Sequence, residues 1–157
     1  MNILFVCTAN ISRSFMSEKL FKNEILKHRM NDIGVASAGV MAMSGSPADQ
    51  KMVHYLDSLG IFPGEHASRP LDEANVEWAD LILVMEKNHY KRIQSLFPDA
   101  MHKVEMLGKY ISMDGSEDDI MDPFGRSSYH YRLSQSQIRM AVEGVFKKIQ
   151  LDRLMNS

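Results

Sequence analysis

One cysteine and one tryptophan occur among 157 residues, and the scarcity of cysteine already removes whole classes of protein. With Cys7 alone there is no intramolecular disulfide and no four-cysteine zinc site, so any role for this thiol is solitary. Long apolar runs are missing too. The stretch MNILFVC at residues 1–7 is far shorter than a signal peptide or a membrane span needs, and no later one exceeds it. The expectation is a cytoplasmic protein with no membrane partner. No charge sign dominates: 18 Lys and Arg against 20 Asp and Glu give a formal charge of −2, which favours neither nucleic acid nor an anionic surface. The six histidines (His28, His54, His66, His89, His102 and His130) lack ligand spacing and read as surface or core residues, with no metal expected. Repeats, low-complexity tracts and linkers are also absent, so residues 1–157 read as one domain.

What is present is an alternation of strand and helix patterns. Asn2 to Val6 is a short apolar strand, followed by a small polar stretch from Thr8 to Ser14 and a helix to about Arg29, with Met16–Leu20 and Phe21–Ile25 as i, i+4 pairs. A strand is expected at Val35 to Ala38, then a helix capped by Ser46 with Pro47 as its first residue, stopped at Gly60. Leu81 to Met85 is a buried parallel strand by pattern, Glu86 to Phe97 a helix ended by Pro98, and Lys103 to Leu107 a further strand. The last helix is expected from near Ser134, with Ile138, Ala141, Val142, Val145 and Ile149 along one face. Trp78 reads as core, and Tyr129 and Tyr131 as packing residues. The sum is an α/β, three-layer fold: a central four-stranded parallel sheet with helices on both faces.

The segment Cys7-Thr8-Ala9-Asn10-Ile11-Ser12-Arg13-Ser14 lies between the first strand and the first helix. A loop of this length can curl so that its backbone N–H groups converge, with the helix N-terminus adding positive potential, which makes a phosphate-binding cradle. Cys7 at its base is a candidate nucleophile, its thiolate stabilised by those dipoles and by Arg13. Arg13 offers a planar fork for two phosphoryl oxygens. Ser14 is placed to donate to the thiolate, and Asn10 to tie the loop to its neighbours. The bland alternative is an inert cysteine closing a strand. Residues 112–122, SMDGSEDDIMD, form the one strongly charged loop, which on composition alone reads as a solvated acidic loop.

CTANISRS resembles the C-x5-R-S signature that opens the low-molecular-weight protein tyrosine phosphatases. Ser37-Ala38-Gly39, Pro47-Ala48-Asp49, His66-Ala67-Ser68-Arg69, Asp80-Leu81-Ile82-Leu83 and Asp122-Pro123-Phe124 are similar to family landmarks in family order. The resemblance covers nearly the whole chain. It implies a protein tyrosine phosphatase that hydrolyses phosphotyrosine through a phosphocysteine at Cys7, with Thr8 to Ser14 binding phosphate, Arg13 stabilising the transition state and Asp122 as general acid and base. Asp119 is the next candidate for the acid. No cofactor is implied. The implied partner is a phosphorylated protein, such as an autophosphorylating tyrosine kinase, met by a monomer or weak dimer.

The sequence departs from the family at Ala9, where Gly is usual, and at Phe15, where Pro is usual. Were position 9 to need positive φ, alanine there would be strained by about 1 kcal/mol. Ser12 replaces the second loop cysteine of many relatives, so oxidised Cys7 lacks a local resolving thiol. Asp122 to Gly125 read Asp-Pro-Phe-Gly, as in the protein arginine phosphatase branch, whereas Ile11 stands where that branch has threonine and is typical of the tyrosine enzymes. The pocket walls are expected to be Ile11, Phe124 and Met43, the last equally readable as a plain loop residue. Ala9 and Phe15 also leave open a phosphate- or phosphopeptide-binding module of weak activity.

Overall fold

The structure, a computed structural model, describes residues 1–112 and 114–157; Met113, inside the acidic loop read from the sequence, lies outside the described residues. Four strands, β1 (Asn2–Cys7), β2 (Gly34–Gly39), β3 (Leu81–Val84) and β4 (Val104–Met106), form one parallel sheet in the order β2-β1-β3-β4. The helices are α1 (Arg13–His28), α2 (Gln50–Ser58), α3 (Glu73–Trp78), α4 (Lys87–Leu96) and α5 (Ser128–Met155). This is the three-layer α/β arrangement that the alternation of patterns implies.

β1 is hydrophobic on both faces because both are covered. Ile3, Phe5 and Cys7 face α1, α2 and α5 with Phe21, Met52, Ile138, Val142 and Phe146, while Leu4 and Val6 face α3 and α4 with Val76 and Ile93. Phe21 bridges Phe5 and Phe146 with ring centroids 5.9 Å from each, and each such fully buried side chain contributes about 1.5–3 kcal/mol. With β2 on one side of β1 and β3 on the other, the chain reverses its winding direction at β1. The carboxyl end of β1 therefore opens into the crevice where open parallel sheets bind ligands.

Several elements differ from the sequence expectation for identifiable reasons. α2 begins at Gln50 rather than Pro47, because Asp49 is its N-cap: Lys51 N–H donates to Asp49 Oδ1 at 3.0 Å. The Asp49 N–H is drawn instead to the carbonyl of Ile11 at 2.8 Å, which carries the chain out of helical geometry before residue 50. α5 begins at Ser128, nearly two turns before the expected start near Ser134, its first turns fixed by the Tyr131 hydroxyl donating to Asp49 Oδ2 at 2.6 Å. Tyr131 is buried as a packing residue, but Tyr129 is exposed. Trp78 is 38% exposed, because it ends the six-residue α3 at the sheet margin beside Gly34 rather than inside a layer. α3 carries no sequence periodicity; a reciprocal cap between Asp72 and Asn75 forms it.

Candidate active site

The loop from Cys7 to Arg13 joins the carboxyl end of β1 to the N-terminus of α1, so strand and helix fix its two ends. Gly39, paired with Cys7 across β1 and β2, lies directly beneath it. A β-carbon there would sit 2.5 Å from the Thr8 carbonyl oxygen and 2.9 Å from the Asn10 nitrogen, so only glycine lets β2 come this close. A Gly39→Ala variant is expected to lose about 1–3 kcal/mol in urea unfolding and to lose the activity that the loop supports, because backbone has to move out of the way. Unchanged activity would show that the loop does not depend on this contact.

Cys7 is buried at the base of the loop. Its Sγ lies 2.9 Å from Ser14 Oγ and accepts the Asn10 N–H at 3.3 Å. The direction of the first bond follows from its surroundings. The Arg69 N–H donates to Asn10 Oδ1 at 3.0 Å, which fixes the orientation of that amide. Asn10 Nδ2 then donates to Ser14 Oγ and to Ser37 Oγ, each at 2.9 Å. Ser14 accepts from Asn10 and has its own proton left to donate to Cys7 Sγ.

The strained position in the loop is Asn10, with φ 57°, and not Ala9, which is absent from the positive-φ residues. Asparagine tolerates this region better than most residues. The Asn10 carbonyl is met by His66 Nε2 at 2.7 Å, and the imidazole packs on Phe15 with ring centroids 4.8 Å apart. Burial pushes His66 below its ordinary pKa. Phe15 is wholly buried in the first turn of α1, its ring packed on this imidazole.

Arg13 is one of the most deeply buried large side chains, 2% exposed. Its Nη1 donates to the Ile120 carbonyl at 2.8 Å, while Nη2 lies 2.8 Å from Glu86 Oε2 and 3.5 Å from Asp122 Oδ2. The arginine thus draws together the cradle, the end of β3 and the acidic loop. Ile120 is itself buried and donates its N–H to the Met85 carbonyl at 2.8 Å. Gly108 supports the same loop from below, because a β-carbon on it would fall 1.9 Å from the Asp118 carbonyl oxygen.

Asp122 is exposed at the crevice, and its Oδ1 accepts the Phe124 N–H at 3.3 Å. Asp119 is otherwise engaged, its Oδ1 accepting the N–H of Lys87 at the start of α4 at 2.8 Å. Among the expected walls, Ile11 is half-buried in the loop, whereas Phe124 and Met43 are largely exposed. The Met43 carbonyl accepts from the Ser68 hydroxyl.

Two residues at the site carry no sequence signal. Glu86 is the N-cap of α4, and His89 sits one turn on, 3% exposed. His89 Nε2 lies 2.8 Å from Thr8 Oγ1 and 3.4 Å from Glu86 Oε2. Burial, and then the facing Arg13 guanidinium, push the imidazole down to about 4, so it is neutral at pH 7. Two of the six histidines read as unremarkable surface or core residues therefore hold the loop from opposite sides.

Comparison with known proteins agrees with this geometry. A family described as low molecular weight phosphotyrosine protein phosphatase matches residues 2–154. A protein-arginine-phosphatase of Bacillus subtilis is 37% identical over 98% of this chain and 99% of its own length. The low molecular weight protein-tyrosine-phosphatase Ptp of Acinetobacter johnsonii is 38% identical over 69% of this chain and 73% of its own. Among solved structures, a cysteine-to-serine mutant of the arginine phosphatase YwlE, with a phosphorylated active-site serine, is 36% identical with TM-score 0.89 over 98% of both chains. A cradle built at the end of β1, an arginine bridging it to an Asp-Pro loop and a family match along almost the whole length lead to one conclusion: the chain belongs to the low molecular weight phosphotyrosine protein phosphatase family and is a hydrolase.

Proposed function

We propose that this chain hydrolyses phosphotyrosine in proteins through a phosphocysteine at Cys7. The observation that carries the reading is the Cys7–Ser14–Asn10 chain of hydrogen bonds beneath a loop whose Arg13 reaches both Glu86 and Asp122. The phosphorylated serine of the YwlE mutant supports a covalent step at the equivalent position. The Cys7 thiolate attacks phosphorus and the bond to the tyrosine oxygen breaks, while Asp122 gives that oxygen its proton. Water then attacks the phosphocysteine, with Asp122 taking the proton and the P–S bond breaking to return the thiolate and release inorganic phosphate. Arg13 and the N–H groups of residues 8–14 hold the equatorial oxygens.

Ile11 at the loop mouth favours an aromatic ring, and Phe124 supplies a second apolar wall. The turn that carries Phe124 is closed by the Arg126 N–H donating to the Pro123 carbonyl at 2.9 Å, with Gly125 at φ 75°. Met43, with its soft side chain, is the third wall. Phosphoarginine is the second reading, favoured by the Bacillus relative. Comparing kcat/KM on phosphotyrosine and phosphoarginine peptides separates the two: tyrosine is expected to lead by at least about tenfold, and Ile11→Thr to erode that lead by about tenfold. A wild-type preference for phosphoarginine would overturn the tyrosine assignment.

The reaction that supplies such a substrate is a tyrosine kinase, and an autophosphorylating kinase presents the residue on itself. A reducing cytoplasm suits a lone catalytic thiol. Among the described residues, no helix is long and apolar enough to cross a membrane.

A further inference from the structure

His89 is buried, ionisable and in contact with two parts of the cradle, yet no step of the reaction above uses it. Its tautomer follows from its contacts. The Glu86 N–H donates to His89 Nδ1 at 3.1 Å, so Nδ1 is the acceptor and the single proton of the neutral ring lies on Nε2. That Nε2–H has Thr8 Oγ1 as its near acceptor at 2.8 Å and Glu86 Oε2 as the far one at 3.4 Å. Glu86 Oε2 is the atom that lies 2.8 Å from Arg13 Nη2. One imidazole therefore touches the residue that follows the nucleophile and the carboxylate that orients the arginine at the other end of the loop.

Thr8 is also held from the opposite side. Its carbonyl accepts the Met41 N–H at 2.9 Å, and the Cys7 carbonyl accepts the Val40 N–H at 2.9 Å, both from the segment that leaves β2. Thr8 is thus clamped between the strands that flank β1: through its backbone to the β2 side, and through its hydroxyl to the β3–α4 side.

We propose that His89 is a positioning residue that sets the start of the cradle against Arg13 before substrate arrives, acting through Thr8 Oγ1 and Glu86. This rests on the reading of residues 7–14 as a phosphate cradle. Relative placement of the loop and the guanidinium matters most when phosphorus is five-coordinate, since the ground-state phosphate makes less exacting demands. Losing the clamp therefore weakens binding of the transition state more than that of phosphate.

The test uses the full chain with p-nitrophenyl phosphate as substrate, orthovanadate as the five-coordinate mimic and inorganic phosphate as the ground-state probe. Thr8→Val removes the hydroxyl and leaves α4 untouched; His89→Asn keeps an acceptor for the Glu86 N–H and loses the reach to Thr8. Each is expected to lower kcat about tenfold with KM nearly constant and to weaken vanadate about tenfold more than phosphate. The double variant is expected to be no worse than His89→Asn alone, and Thr8→Ser to restore activity. If His89→Asn fails to fold, the Thr8 pair still decides. A Thr8→Val enzyme equal to wild type, additive losses, or equal weakening of vanadate and phosphate would each overturn the proposal. A wild type that hydrolyses nothing overturns the phosphatase reading instead.

Discussion

Replacing Cys7 with serine is expected to reduce turnover of p-nitrophenyl phosphate by at least about 10⁴-fold while leaving the melting temperature nearly unchanged. The two halves of this expectation have separate causes. Cys7 Sγ is almost closed off from solvent and is approached by the Asn10 N–H and by Ser14 Oγ, both of which a serine oxygen still accommodates. Packing therefore survives, because the change is a small reduction in volume beside flexible hydroxyls. The chemistry does not survive. A thiol is intrinsically far more acidic and more nucleophilic than an alcohol, so the contacts that suit a sulfur nucleophile here do not make a serine oxygen reactive. Serine also leaves phosphorus far more reluctantly than sulfur does, so any phosphoryl group that reaches it stays. Intact-mass measurement after long incubation with substrate is expected to find a fraction of the variant carrying one phosphoryl group. Activity within about tenfold of wild type would falsify Cys7 as nucleophile.

How much of this site the sequence disclosed depended on how far apart the contributing residues lie. The loop was legible because all its chemistry falls within eight consecutive residues, between an apolar strand and a helix pattern. Asp122 was legible only through the family resemblance, since by composition it belongs to a solvated loop and nothing local says that Ile120, two residues earlier, is pinned to Arg13. Glu86 and His89 were not legible at all. Thr8 and His89 lie 81 residues apart, and a buried histidine in a helix looks the same in sequence as any other. Whether position 9 needs positive φ was not legible either, for a related reason. A loop can place its one left-handed residue at either of two neighbouring positions, and here the side-chain amide of Asn10, bonded to Ser14, Ser37 and the Arg69 backbone, places it at residue 10. The helices expected from Ser46 and from near Ser134 start instead at Gln50 and Ser128, because Asp49 caps α2 and anchors Tyr131 of α5, and an apolar stripe cannot register a tertiary hydrogen bond.

Arg13→Lys is expected to be nearly as damaging as removal of the side chain, although it keeps the charge. Three groups meet the guanidinium from different directions: the Ile120 carbonyl at Nη1, and the Glu86 and Asp122 carboxylates at Nη2. A lysine is a point donor on a flexible stem and cannot hold a carbonyl and a carboxylate in fixed relation while also offering two parallel N–H groups to a phosphoryl group. The expected loss in kcat/KM is about 10³-fold, from the missing fork and from the loosened acidic loop together. A loss of stability of about 2 kcal/mol is expected as well; Glu86 is partly exposed, and water will compensate part of what its carboxylate forfeits. Glu86→Gln separates the two contributions. It leaves the fork on Arg13 and weakens its anchor, together with the longer contact to His89 Nε2 at 3.4 Å, so the loss of rate is expected to be well below that of Arg13→Lys, with stability reduced in both. If Arg13→Lys retains activity within tenfold of wild type, the bidentate role is wrong and charge alone serves the reaction. If Glu86→Gln instead matches Arg13→Lys in rate, orientation of the guanidinium, rather than its number of donors, is what the transition state requires.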